Sequence, residues 1–280
     1  MPWYMRIQSI SKTAIWVALV VAFAIPLIHP LGMPLNITSA TTAAYNLIDS
    51  LPAGSIVFQS IGFNPAVDAE CWPQMVAISR HFMSKNLKVI YYPYMQEGGM
   101  YAERIKDSVA GDYGYEYGKD YVILPFKAGG ETAIAGMKDF YTLFNTDVSG
   151  NSIKDMPIFQ GFRGMQDVAA IVPVTGSDDP VYYVRYIEPV YHTPIVACGT
   201  APLLPVIGPF VASKQIKSTV IGLSGAAEYE ILAKVPGSAT GAMDAQSMGH
   251  MLIVLLVALG NIGLFFQKRA QKAAGVTSNG

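Results

Sequence analysis

The chain has 280 residues, enough to bury a full single-domain core. Hydrophobic residues make up 51% and charged residues only 14%, against about 25% charged in soluble domains, a deficit that points to membrane attachment. A formal net charge of -1 leaves no basic field for a nucleic-acid partner.

The first apolar run extends from Ala14 to Ile28 and continues past His29 and Pro30 toward Leu35. A bilayer core needs roughly 20 apolar residues, with a lower limit near 17, so the run spans only with its flanks. Ala22-Phe23-Ala24 has the small-x-small form of a signal-peptide cleavage site, but the apolar stretch resumes after Ala24, which favours a retained anchor. Pro26 is expected to kink this helix near its outer end. Ala14, Ala18 and Ala22 repeat every four residues, a small-residue face suited to helix–helix contact. Trp3, Tyr4 and Trp16 fit an interfacial aromatic belt.

The middle of the chain alternates β-rich runs with helical patterns. Strands are expected at 55–61, 88–92, 121–124, 168–174, 194–198 and 218–222. Helices are expected at 68–85, 100–109, from 131 to 137, and at 180–190, 203–214 and 226–234. The strands read as continuous apolar runs, as strands covered on both faces do. Strand–helix alternation then gives an α/β fold: a doubly wound, mainly parallel sheet of about six strands. Its strand order is not readable.

The second apolar run is Met251 to Phe266, again a span only with its flanks; it carries Gly260, Asn261 and Gly263, which suit helix contact. Arg6 and Lys12 precede the first run, and Lys268, Arg269 and Lys272 follow the second. The positive-inside rule places both termini in the cytoplasm. The expected organisation is a cytoplasmic N-terminus and first span over 1–35 and an extracytoplasmic α/β domain over 36–247. A second span over 248–267 and a cytoplasmic tail over 268–280 complete it.

Ligands of doubly wound sheets sit beyond the carboxyl ends of the strands. The loops expected there carry Asn64, Lys127, Gly129, Gly130, Glu131, Thr175, Ser177, Thr200 and Ser224, the candidate ligand-binding residues. Such loops also need Gly, Ser and Asp simply for turning and capping. Lys127-Ala-Gly-Gly-Glu131 lacks the order of a phosphate-binding P-loop, because its lysine precedes its glycines. It reads as a turn opening a helix, with a carboxylate or other small anion as its conceivable guest. No G-x-G-x-x-G follows the first strand, and no cofactor is expected. Gly222-Leu-Ser224-Gly-Ala226 approaches a nucleophile elbow, but its fifth position is not glycine. No histidine stands where a triad needs one: His192 precedes the fifth strand, and His250 falls at the membrane edge. No catalytic residue and no metal site are assigned; Asp178-Asp179 reads as a helix start ahead of Pro180. Cys71 and Cys198 come within reach of a disulfide if the first helix covers the fifth strand; unbonded, they are small buried hydrophobes.

The stretches Gly222 to Glu230 and Gly241 to Phe265, with Lys127 to Glu131, make the chain resemble a group of prokaryotic membrane-anchored α/β proteins that end in a transmembrane helix. The resemblance implies the architecture and carries no chemistry. Within it, Asp244 and Gln246 stand where they can cap or dock the second span. The expectation from sequence is a non-enzymatic assembly or ligand-binding subunit of a larger membrane complex. Its partners would be lipid, further copies or subunits, and a small anionic ligand. A hydrolase and a solute-binding module are the alternatives.

Overall fold

The computed structural model describes residues 2–235 and 237–273. The side chain of Tyr4 and the tail beyond residue 273 lie outside the described residues. The chain divides into two compact units, residues 35–240 and residues 1–34 with 241–280.

The larger unit opens with helix α3, Ser39–Asp49, which follows two short N-terminal helices, α1 (Trp3–Gln8) and α2 (Lys12–Ile28). Then come β1 (Ile56–Gly62), α4 (Asp68–Ser84), β2 (Lys88–Pro93), α5 (Gly98–Ser108) and β3 (Tyr121–Ile123). The short helices α6 (Glu131–Gly136) and α7 (Phe140–Leu143) lead through a series of 3-10 turns to β4 (Val168–Ile171) and β5 (Val174–Thr175). The remainder is α8 (Asp179–Tyr186), α9 (Glu188–Tyr191), β6 (Ile195–Gly199), α10 (Leu204–Ala212), β7 (Ile216–Ile221) and α11 (Gly222–Ala233).

All named strand pairings are parallel, with spatial order β3-β2-β1-β4/β5-β6-β7. β4 and β5 form one sheet position, interrupted where Pro173 has no N–H to give the ladder. Strand alternation sends Val57 and Ile61 to one face and Phe58 to the other. On the first face, α3, α4, α5 and α11 contribute Ile48, Phe82, Tyr101 and Tyr229 to the core. On the second, α6, α7 and α8 with the loop before β4 contribute Ile134, Phe140, Tyr183 and Phe159. The chain runs outward from β1 through β3, then returns to β4 on the other side of β1. The reversal between β1 and β4/β5 is the topological switch point.

Three boundaries differ from the sequence reading. Helix α3 was not expected; Thr38 caps it, its Oγ1 accepting from Thr41 N–H at 3.2 Å, and Ala44 and Ile48 face the core. The helix expected over 180–190 is broken at Ile187, because Pro189 cannot extend the hydrogen-bond ladder. The helix expected from 226 begins at Gly222, so Ser224 sits in its first turn and not in a loop.

The smaller unit contains α1, α2 and helix α12, Ala239–Ala273. At 35 residues, α12 is long and apolar enough to cross a membrane. α2 is a shorter apolar helix of 17 residues, about 26 Å at 1.5 Å per residue against a hydrocarbon core near 30 Å. The two run antiparallel. Ile7, Ile10 and Ile15 line a cavity with Leu256, Leu259 and Leu264, and Trp3 meets the Phe266 ring edge-on at 5.0 Å. At the opposite end, the Phe23 ring lies against Gly249, where an added Cβ would come within 2.6 Å of it. Gly241, Ala245 and Gly249, at four-residue spacing, are all buried. Of the residues marked from sequence, Ala22 and Gly263 are buried and Gly260 is half-buried, while Ala14, Ala18 and Asn261 are exposed.

Candidate functional site

The carboxyl edge of the sheet holds three separate arrangements. The first is a crevice of about 190 Å³ at the switch point, lined by Gly62, Phe63, Asn64, Met95, Gly176 and Ser177 among others. Asn64 Oδ1 accepts from Ala66 N–H at 3.0 Å and shapes the turn that leaves β1. Thr175 lies fully buried beside it, its hydroxyl donating to Gly62 O at 2.8 Å and accepting from Ser177 N–H at 2.9 Å. These bonds tie the end of β1 to the end of β5. Thr200 N–H donates to Thr175 O at 3.3 Å, which extends the stitching to the end of β6.

Asp179, the first residue of α8, is fully buried against Gly62. Its Oδ2 accepts from Ser60 Oγ at 3.3 Å, while Oδ1 has no hydrogen-bond partner. Burial therefore pushes its carboxyl up to about 7, with the Thr175 and Ser60 hydroxyls opposing the rise. Near neutral pH the group is partly protonated. The hydroxyls of Tyr92 and Tyr183 are also buried without partners, and burial pushes both phenols well above their ordinary value. The sequence reading took Asp179 for part of a helix start and missed its burial. A signal was present: an acidic residue directly before Pro180, at the end of an apolar strand. Gly62 is required here, because a Cβ on it would lie 2.5 Å from Thr175 Oγ1 and 2.7 Å from Asp179 Oδ1.

The second arrangement is the Lys127 to Glu131 turn. Gly130 has φ 50° and ψ -110°, a conformation that needs glycine. Glu131 is engaged by α8: its carboxylate accepts from the Arg185 guanidinium and from Tyr186 Oη at 2.7 Å. The Tyr186 bond first, then Arg185, hold its carboxyl below the ordinary range. Lys127 Nζ lies 5.9 Å from the centre of the Phe144 ring. α6 has only six residues, and the stretch works as a strand-to-helix turn latched onto α8.

The third is a cavity of about 360 Å³ bounded by α3, β7 and α11, lined by Thr38, Thr41, Leu204, Thr219, Ser224 and Glu228 among others. No histidine lines it. His192 caps α9 in a left-handed conformation ahead of β6, at the amino edge of the sheet. The residues marked from sequence thus fall into different places: Asn64 and Ser177 line the crevice with Thr175 beside it. Ser224 lines this cavity, and Lys127, Gly129, Gly130 and Glu131 form the turn.

Two further polar clusters are structural. Gln74 Nε2 donates to Gly199 O and Gly222 O, both at 3.0 Å, and clamps the ends of β6 and β7. His81 Nδ1 and Tyr229 Oη lie 2.8 Å apart, with Tyr45 stacked on the imidazole at 4.8 Å. Cys71 and Cys198 are both buried and free, so the disulfide considered from sequence is not formed. Burial pushes the Cys71 thiol up to about 12 and the Cys198 thiol higher, which keeps both as inert hydrophobes. Among the described residues, no group of three or more His, Cys, Asp or Glu is placed to hold a metal ion.

In the smaller unit, Asp244 is the only acidic residue. Its buried carboxylate accepts the N–H groups of Leu31, Gly32 and Met33 at 2.7, 2.9 and 3.1 Å. These donors follow the end of α2, so one side chain fixes the chain as it leaves that helix. Comparison with protein-family models, with curated proteins and with solved structures finds no match to this chain.

Proposed function

We propose that the protein is a non-enzymatic, membrane-anchored subunit whose α/β unit binds a small ligand at the switch point. The observation that carries the ligand reading is the crevice between β1 and β5. It is concave and mainly apolar, has Asn64 and Ser177 at its wall, and opens where doubly wound sheets bind ligands. In this reading α2 and α12 cross the bilayer as a hairpin, α2 spanning with the help of its flanks. Trp16, Val17, Val20, Val254, Val257 and Phe265 are exposed on these helices, an outward apolar surface that lipid would cover. Arg6 and Lys12 belong to the same end of the hairpin as Lys268, Arg269 and Lys272. That end is cytoplasmic by the positive-inside rule, and the α/β unit is extracytoplasmic.

A hydrolase is the less favoured reading, because Ser224 shares its cavity with hydroxyls and a carboxylate and with no histidine. The subunit role rests on the resemblance of the chain and on the exposed helical surface.

The test has two arms. Full-length protein in mild detergent is scanned by thermal shift against small anions and neutral sugars, beside Asn64→Leu, which fills the crevice. A shift in the parent that the variant loses supports the ligand reading, and a flat scan overturns it. Native extraction should give a particle heavier than one chain with its micelle; a clean monomer overturns the subunit reading.

A further inference from the structure

We propose that the cavity bounded by α3, β7 and α11 is a binding site for a small organic ammonium cation. The inference does not depend on the switch-point crevice.

Glu228 decides the sign of the ligand. It is 4% exposed and lines the cavity. Its Oε2 accepts from Thr38 N–H at 3.0 Å and from Thr38 Oγ1 at 2.7 Å. Among the described residues its Oε1 accepts no hydrogen bond, and no Lys, Arg or His pairs with the carboxylate. A buried carboxylate with an open oxygen and no counter-charge repels an anion and gains most from a cation that brings N–H donors. The first turn of α11 also lines the cavity, through Gly222, Ser224 and Gly225, and its dipole opposes a cation, but with about half a charge against the full negative charge of Glu228. Glu228 stands two turns into that helix, and the dipole's influence fades beyond the first turn.

The rest of the wall decides the class. The hydroxyls of Thr41, Thr219 and Ser224 can each accept a hydrogen bond, which suits an ammonium with more than one N–H. Leu204 and Ile221 offer apolar surface for carbon. A volume near 360 Å³ holds a small organic molecule, since a water takes about 30 Å³. A divalent metal is disfavoured, because calcium asks for six to eight oxygen ligands, usually several of them carboxylates, and the cavity supplies one carboxylate. The same cavity carries the Ser224 that resembles a nucleophile. In this assignment Ser224 is a hydrogen-bond acceptor for the ligand.

The experiment is a titration of the full-length protein in detergent micelles with ethylammonium and with choline chloride, read by calorimetry and thermal shift. Sodium chloride and sodium acetate serve at matched ionic strength. The expected result is a saturable response to ethylammonium that neither sodium salt gives, and a weaker one to choline, whose quaternary nitrogen has no N–H to donate. Glu228→Gln should weaken it at least tenfold, because the amide oxygen still accepts both Thr38 bonds while the charge is gone. Should that variant fail to fold, Ser224→Leu fills the cavity from α11 with Glu228 intact and should abolish binding. Asn64→Leu should leave the response unchanged, which separates this site from the crevice. No saturable response in the parent, an equal response to sodium chloride, or undiminished binding by Glu228→Gln or Ser224→Leu overturns the proposal.

Discussion

Replacing Asp179 with Asn should remove a specific pH dependence from the stability of the α/β unit. The Asp179 carboxyl is held at about 7 in the fold, and an aspartate in the unfolded chain titrates near 3.9. Between those values the folded state binds more protons than the unfolded one. Stability contributed by this group therefore falls as pH rises from about 4 to about 7, and is flat above and below. The gap is roughly three units, or about 4 kcal/mol at full ionisation, an upper figure because buried groups relax. For a unit of this size that is a shift of about 8 to 16 °C in Tm. Other groups titrate nearby and must be separated. Burial holds His81 below its ordinary value, with Asp49 opposing, so it adds stability as pH rises through the same range. Asp49, lowered by Lys85, and Asp167, lowered by Arg163, act only below about pH 4. The informative quantity is thus the difference in Tm between Asp179→Asn and the parent, measured from pH 4 to 8 in one detergent. The variant should gain on the parent steadily between pH 4 and 7, then run parallel to it. A difference that does not change with pH would refute the claim that this carboxyl is buried without a cation.

Two substitutions test the packing that positions these sites. Gly62→Ala drives a methyl toward Thr175 Oγ1 and Asp179 Oδ1, and should cost about 1–3 kcal/mol in an unfolding titration, with the crevice ligand response lost; a neutral effect would mean that the strand ends are loose. Asp244→Ala orphans the N–H groups of Leu31, Gly32 and Met33 and should destabilise the helical hairpin by about 3 kcal/mol, seen as unfolding at lower denaturing-detergent fraction in mixed micelles; unchanged unfolding would refute its role as the fastener of α2.

The sheet was legible because its strands are continuous apolar runs such as Val168 to Val174, and its helices show an apolar face at 3.6-residue spacing, as in α4. α3 was not, although Thr38 is a good cap, because its Ser-Ala-Thr-Thr-Ala-Ala start is too weakly apolar to show a stripe beside the long run before it. The first span was expected from an apolar run with basic residues ahead of it, and among the described residues only α12 is long and apolar enough to cross a membrane. The helix that the run becomes has 17 residues, because His29 and Pro30 end it.

The candidate sites were harder to read for a different reason. Gly, Ser and Asp in α/β loops serve turning, capping and binding alike, and only three-dimensional neighbours separate these uses. Glu131 looked available and is consumed by Arg185 and Tyr186. Asp179 looked like a helix start, which it is, and it is a buried acid as well. Glu228, unmarked in the sequence, is a buried carboxylate with no cation beside it among the described residues. What distinguishes the three is whether the partner that neutralises each charge comes from the chain. For Glu131 the partner comes from α8, 54 positions away. For Asp179 no cation arrives, and the group answers by holding its proton. For Glu228 no cation comes from the described residues, and in the proposed assignment an ammonium ligand supplies it.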